Sequence, residues 1–371
     1  MTRRRRLLLL TLIVGASLLL SLGAGEWILR AQTAHIQQSD QMDPGLIEYD
    51  GDLGWHLARN WVGHHRHYDF DVLYATDERG FRRVAGAGAG GRRVAFLGDS
   101  FTFGLGVGQG ETFVERWAQG HAGPVTALNY GVPGTSTDQQ VLLLEQRVLN
   151  PQGFGPRPDV VVLVVCLIND LFDNLRAIPL QAPYPKPYFE LREGVLTLQN
   201  VPVPRDRKPD AAQQGDLSAL IAPDGAAEPS GLTGWLGRRE LCRRLGLFQP
   251  RFELPAGYFD GRYAKELALF EALVLRARAR TEARGARFVL ALLAGRSFVE
   301  EPEGWSAAFQ EHLRTTLLAR GTALGLTVVD LAGPLRQDYQ ASKARYFHPH
   351  EGHLNAEGHR KVAEALKGAL R

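Results

Sequence analysis

The stretch Val160-Val161-Val162-Leu163-Val164-Val165-Cys166 holds seven apolar residues with no polar interruption. A strand with one wet face alternates polar and apolar residues. A run without alternation is the mark of a strand buried on both faces, which in a folded domain means a parallel sheet covered by helices above and below. Shorter apolar runs recur at 93–97, 125–129, 287–293 and 326–330. Between and after them lie stretches of helical period: Glu111 to Trp117, Thr137 to about Leu149, 263–283, 305–319 and Asn355 to about Leu370. Thr137 and Gln140 have capping-box spacing, Val141, Leu142, Leu144 and Val148 share one helical face, and Pro151 stops that helix. Strand and helix in alternation predict an α/β fold: three layers, with a parallel sheet between helices.

Residues that carry chemistry cluster where these strands end. The first core strand breaks at Gly98 into Gly98-Asp99-Ser100. The second leads into Asn129-x-Gly131-x-x-Gly134, and the third into Asn169-Asp170. Glu351-Gly352-His353-Leu354-Asn355 precedes the last helix. In open α/β sheets, ligands bind at the carboxyl ends of the strands. A neutral serine hydroxyl is a weak nucleophile and needs a base within hydrogen-bond reach. His353 is the natural candidate, because an imidazole titrates near working pH.

This ordered set resembles the SGNH (GDSL) hydrolase family over roughly 92–170 and 263–371. The Gly54-Trp55 and Gly80-Phe81-Arg82 pieces are similar to an N-terminal extension of its envelope-associated members. The resemblance implies a flavodoxin-like α/β/α fold and a Ser100–His353 pair. It assigns the oxyanion donors to the backbone N–H groups of Ser100 and Gly134 and the side-chain amide of Asn169. The family places an Asp two or three residues before the histidine. Those positions here hold Glu351 and His350, and only Glu351 can supply the carboxylate that orients the ring. Leu167 stands where the family often has Gly, which narrows the site. Asp99 and Asp170 are expected to hold turns.

Arg3 to Arg6 precede Leu7 to Gly25, which is nearly all apolar and carries no charge. Such a run can span a bilayer, with the arginines on the cytoplasmic side. A cleaved signal peptide is the rival, with Gly23-Ala24-Gly25 small enough to be cut. The long leucine-rich core and the continuation Glu26 to Arg30 favour an anchor, and both readings export the rest. The expected organisation is an Arg run and anchor over 1–31, an extracytoplasmic extension and linker over 32–91, and the hydrolase domain over 92–371. Residues 32–45 are read as a polar tether. Residues 171–262 are read as an insertion over the carboxyl edge of the sheet, with a hairpin at 188–198.

Other functions find little support. The net charge is +3, and without Arg3 to Arg6 there are 39 basic against 40 acidic residues, so nothing favours a nucleic-acid partner. Cys166 and Cys242 have no metal or CxxC spacing. The glycines from Gly104 to Gly110 start too late after the strand for a dinucleotide loop. His64-His65-Arg66-His67 reads as a solvated polar strand rather than a metal cluster, and His348-x-His350-x-x-His353 lacks the carboxylates of a metal site. No cofactor or metal is expected. The function expected is an exported serine esterase that removes a small O-acyl group, acetyl foremost, from a cell-envelope glycan. An O-acyltransferase using the same acyl-enzyme, or a non-catalytic glycan-binding protein, are the alternatives.

Overall fold

The computed structural model describes residues 2–85, 90–150, 157–179, 184–206, 231–247, 256–301 and 304–370. Most of the expected linker at 85–91, Pro151, and much of the 171–262 insertion lie outside the described residues. The chain forms two compact units: Met1–Gln41 with Pro223–Leu254, and Met42–Ala222 with Pro255–Arg371.

The core of the second unit is a parallel sheet of β1 (Arg92–Gly98), β2 (Val125–Gly131), β3 (Val160–Cys166), β4 (Arg287–Leu293) and β5 (Val328–Asp330). The spatial order is 2-1-3-4-5, that of flavodoxin-like folds. β3 is central, with Val160 opposite Val94 on one side and Arg287 on the other, and all seven of its residues are buried. That location explains why its sequence has no polar alternation. One helical layer contains α1 (Phe113–Gln119), which packs on the last helix of the chain. The other contains α2 (Thr137–Leu143), α3 (Ala264–Glu282) and α4 (Trp305–Ala323). Arg320 of α4 bridges Glu271 of α3 at 2.7 Å. A further helix, α5 (Ala332–Ser342), leads to α6 (Ala356–Ala369), the partner of α1.

Several boundaries differ from expectation. The N-cap of α2 is Ser136, paired with Gln139, one residue before the predicted Thr137 and Gln140; the helix then widens into a π turn at Leu144–Val148. β5 starts at Val328 because the Leu326 N–H still closes the end of α4 on the Gly321 carbonyl, 2.9 Å away. The described hairpin of the insertion, Tyr188–Arg192 with Val195–Gln199, packs on α2 and α3. Just before it, Lys186 is buried with its ammonium on the Asp138 carboxylate at the start of α2.

In the first unit, helix Arg3–Gln38 is long and apolar enough to cross a membrane. It continues past residue 32, where a tether was expected, because residues 26–38 include no Gly or Pro to break it. In the second unit, residues 43–85 precede the sheet and form two antiparallel hairpins, Ile47–Asp50 with Gly54–Leu57 and Val62–His67 with Phe70–Ala75. The second hairpin corrects the reading of the histidine run as solvated. His65 is 3% exposed and bonds the Tyr74 hydroxyl at 3.0 Å, and the His67 side chain is 6% exposed. The period of two puts both on the covered face.

Candidate active site

β1 ends at Gly98, and Ser100–Phe103 turns at once into a single helical turn. Asp99 caps that turn by accepting the Phe101 N–H at 2.9 Å. β2 ends close by. A Cβ on Gly131 would lie 2.2 Å from the Phe103 nitrogen, so only glycine lets this strand pass the serine turn. Asn129 laces the two together, donating to the Thr102 carbonyl at 2.8 Å and accepting the Gly131 N–H at 2.9 Å. At the far end of the chain, the Phe347–Leu354 bridge closes a short loop ahead of α6.

That loop brings His353 to Ser100. Nε2 of His353 lies 2.7 Å from the Ser100 Oγ, and Nδ1 lies 2.6 Å from the Glu351 Oε1. The other Glu351 oxygen accepts the His353 backbone N–H at 2.9 Å, which locks the acid to the base. Phe101 flanks the imidazole, ring centres 4.6 Å apart. The other two histidines of the run are occupied elsewhere. His348 Nε2 bonds the Gly106 carbonyl at 3.1 Å, and His350 Nδ1 lies 2.6 Å from Asp69.

The carboxyls around the serine fall into two electrical classes. Burial pushes Glu351 up, but the His353 charge and hydrogen bonds outweigh it and hold the carboxyl below its usual range. Asp99 is pushed up to about 6 by burial, against the pull of the Phe101 N–H and the His353 charge. Asp170 is pushed well above the usual carboxylate range by burial and then by the nearby Asp99. Its carboxyl accepts the Cys166 backbone N–H at 3.2 Å. The histidine thus lowers the Glu351 carboxyl, while burial raises the two strand-end aspartates.

Ser100, Gly134 and Asn169 are each partly exposed. Gly134 sits at φ +77°, a left-handed conformation that favours glycine. The backbone N–H groups of Ser100 and Gly134, and the Asn169 side-chain amide, have no hydrogen-bond partner among the described residues. Three donors at the ends of β1, β2 and β3 are thus left unspent.

Segment 43–85 reaches the loops around these groups, and the sequence reading missed its part. The Asp69 carboxylate accepts the backbone N–H groups of His350 and Glu351, at 2.8 and 3.0 Å. The Tyr74 hydroxyl accepts the Gly106 N–H at 2.7 Å. Buried Arg82 donates to the carbonyls of Gly104 and Val107, at 3.0 and 2.8 Å, its guanidinium 4.5 and 4.7 Å from the ring centres of Tyr74 and Phe103. The Trp55 indole N–H donates to the Pro133 carbonyl at 3.0 Å, directly before Gly134. An arginine among aromatic residues in a strand-like stretch was the available signal for Arg82. Asp69 offered only an ordinary turn.

A parallel α/β sheet with a hydrogen-bonded serine, histidine and carboxylate at its carboxyl edge defines a serine ester hydrolase. The chain belongs to the GDSL-like lipase/acylhydrolase family, whose profile matches residues 96–361. Among solved structures it is similar to a member of the lipolytic protein G-D-S-L family from Veillonella parvula, at 13% identity over 74% of this chain and 96% of that one, TM-score 0.39. It is also similar to an alpha/beta hydrolase enzyme from the metagenome of Lake Arreo, Spain, at 16% identity, 77% and 99% coverage, TM-score 0.40. A third is a catalytic mutant of an acetylxylan esterase from Geobacillus stearothermophilus, at 11% identity, 76% and 96% coverage, TM-score 0.40. No curated protein matches.

Proposed function

We propose that Ser100, His353 and Glu351 form the catalytic triad of an exported esterase that removes a small O-acyl group, acetyl foremost, from a cell-envelope glycan. The observation that carries this reading is the continuous hydrogen-bonded path from the Ser100 Oγ through the imidazole to Glu351. In the mechanism, Oγ attacks the ester carbonyl as Nε2 takes its proton. The N–H groups of Ser100 and Gly134 and the amide of Asn169 hold the oxyanion. The intermediate collapses, the sugar oxygen leaves with the proton from Nε2, and water repeats the sequence on the acyl-enzyme. Glu351 keeps Nδ1 protonated and balances the imidazolium charge.

The small acyl group is supported by crowding: Phe101 stands against the imidazole, and buried Leu167 occupies a position where the family often has Gly. Location supports the glycan. Arg3 to Arg6 and the apolar run to Gly25 would tether residues 1–31, leaving the extension at 32–91 and the domain at 92–371 outside the cytoplasm. The test is hydrolysis of p-nitrophenyl acetate by the full chain, together with labelling by a fluorophosphonate. Ser100→Ala should abolish both. Labelling that survives in that variant would overturn the assignment of the nucleophile, and acetyl transfer to an added sugar in place of hydrolysis would make the enzyme a transferase.

A further inference from the structure

The first unit carries a second structure that the esterase chemistry does not use. Leu7 to Gly25 is an uncharged run of 19 residues, roughly 28 Å as a helix and close to the thickness of a bilayer core. Glu26 is the first charge beyond it. Its carboxylate accepts the backbone N–H groups of Glu240 and Leu241, at 3.2 and 3.0 Å. One turn or two further on, Thr33 donates to the Glu240 carboxylate at 3.0 Å, and Arg244 donates to Gln32 and Thr33 at 3.1 and 3.3 Å. The short helix Glu240–Arg244 is thereby fastened to residues 26–33 of the long helix, and the short helix Gly231–Gly237 packs on Glu240–Arg244. An anionic side chain such as Glu26 is expelled from hydrocarbon, so it marks the depth of the headgroups. Whatever it holds lies at that depth.

The composition of the fastened segment suits that depth. Leu232, Trp235, Leu245 and Leu247 are 71%, 50%, 62% and 46% exposed, and Trp27, next to Glu26 in the chain, is 71% exposed. Residues 231–247 carry four arginines, Arg238, Arg239, Arg243 and Arg244, and one acid, Glu240, and the Arg239 guanidinium lies 3.8 Å from the Trp235 ring centre. Exposed tryptophan and leucine interleaved with arginine is the pattern of an element lying in a membrane interface, its rings among the upper acyl chains and its cations on lipid phosphates. We infer that residues 231–247 form an interfacial membrane element that binds anionic phospholipid headgroups beside the anchor. This rests on the reading of residues 7–25 as an uncleaved span.

The test uses the full chain in phosphatidylcholine vesicles, with and without phosphatidylglycerol, and an environment-sensitive fluorophore on Cys242. Cys166 is buried, and burial pushes its thiol up, so it stays unlabelled. The inference expects a blue-shifted emission, quenched by lipids brominated at shallow acyl positions and more strongly with phosphatidylglycerol. Each arginine near an anionic surface multiplies binding about fivefold. Arg238→Gln with Arg243→Gln, leaving Glu240 and Arg244 to fasten the segment, should therefore cut the phosphatidylglycerol-dependent part roughly twentyfold. In the unsubstituted chain, raised salt should weaken the same part. A chain that floats with the vesicles while its fluorophore stays water-like overturns the inference and spares the anchor. A dry but unquenched fluorophore overturns it in favour of a protein partner. A chain that does not float overturns both.

Discussion

The carboxyl edge of the sheet and segment 43–85 meet around Ser100 with opposite chemistry. The edge contributes the Ser100–His353–Glu351 path and three donors without a partner among the described residues. The segment contributes polar groups that grip backbone: Asp69 on two N–H groups, Arg82 on two carbonyls, Tyr74 and Trp55 on one group each. A catalytic centre needs donors that gain their partner only in the transition state, and so needs other groups to hold its loops still. With the proposed triad, the two tasks fall to different parts of the chain.

Substitutions can break that division of labour. The largest effect should come from the edge. Glu351→Gln should lower kcat by roughly a thousandfold or more, since an amide neither balances the imidazolium nor enforces its tautomer. His350→Ala should do far less, and equal losses in p-nitrophenyl acetate turnover would mean that Glu351 is not the triad acid. Asn169→Ala should cost roughly a hundredfold in kcat, the usual loss of one oxyanion donor, with an unchanged thermal midpoint. A fallen midpoint with intact turnover would place Asn169 among the bracing groups instead.

The segment should respond in stability first. Arg82→Met strands the Gly104 and Val107 carbonyls in a buried site and should destabilise by about 2–4 kcal/mol in urea unfolding. Burial lowers the Arg82 guanidinium to about 10, against the pull of Tyr74 and two glutamates, so it keeps its charge at neutral pH. An unchanged midpoint would remove Arg82 from the brace. Asp69→Asn should have the smallest effect, and a pH-dependent one. Burial raises the Asp69 carboxyl, but the bond to His350 and the two backbone N–H groups prevail and lower it. A carboxyl lowered by folding stabilises above its unfolded value, near 3.8, and loses that contribution as pH falls through the folded value. The stability gap between the native chain and Asp69→Asn should be open at pH 7 and close under acid conditions. A gap that persists at low pH would show that shape, not charge, is what Asp69 supplies.

Much of the core was legible because burial leaves a local signature. Val160 to Cys166 reads as a strand covered on both faces, and the motifs at Gly98, Asn129 and Asn169 lie at or near the carboxyl ends of their strands, where ligands bind in such sheets. The pairing of His353 with Glu351 follows from two residues of separation and is nearly local as well. Periodicity failed where an element's neighbours decide its face: the histidine strand reads as polar, yet Tyr74 covers His65.

The sequence alone determined the α/β class, the order of the motifs and the chemistry that a serine and a histidine could perform together. The tertiary structure decided the 2-1-3-4-5 order, the burial that raises Asp99 and Asp170, and the choice of bracing groups. Asp69 meets His350 across 281 residues of chain, Trp55 meets Pro133 across 78, and Tyr74 meets Gly106 across 32. A residue's period records whether it is buried. A hydrogen-bond partner at such separations is set by the path of the whole chain, so only the fold could name it.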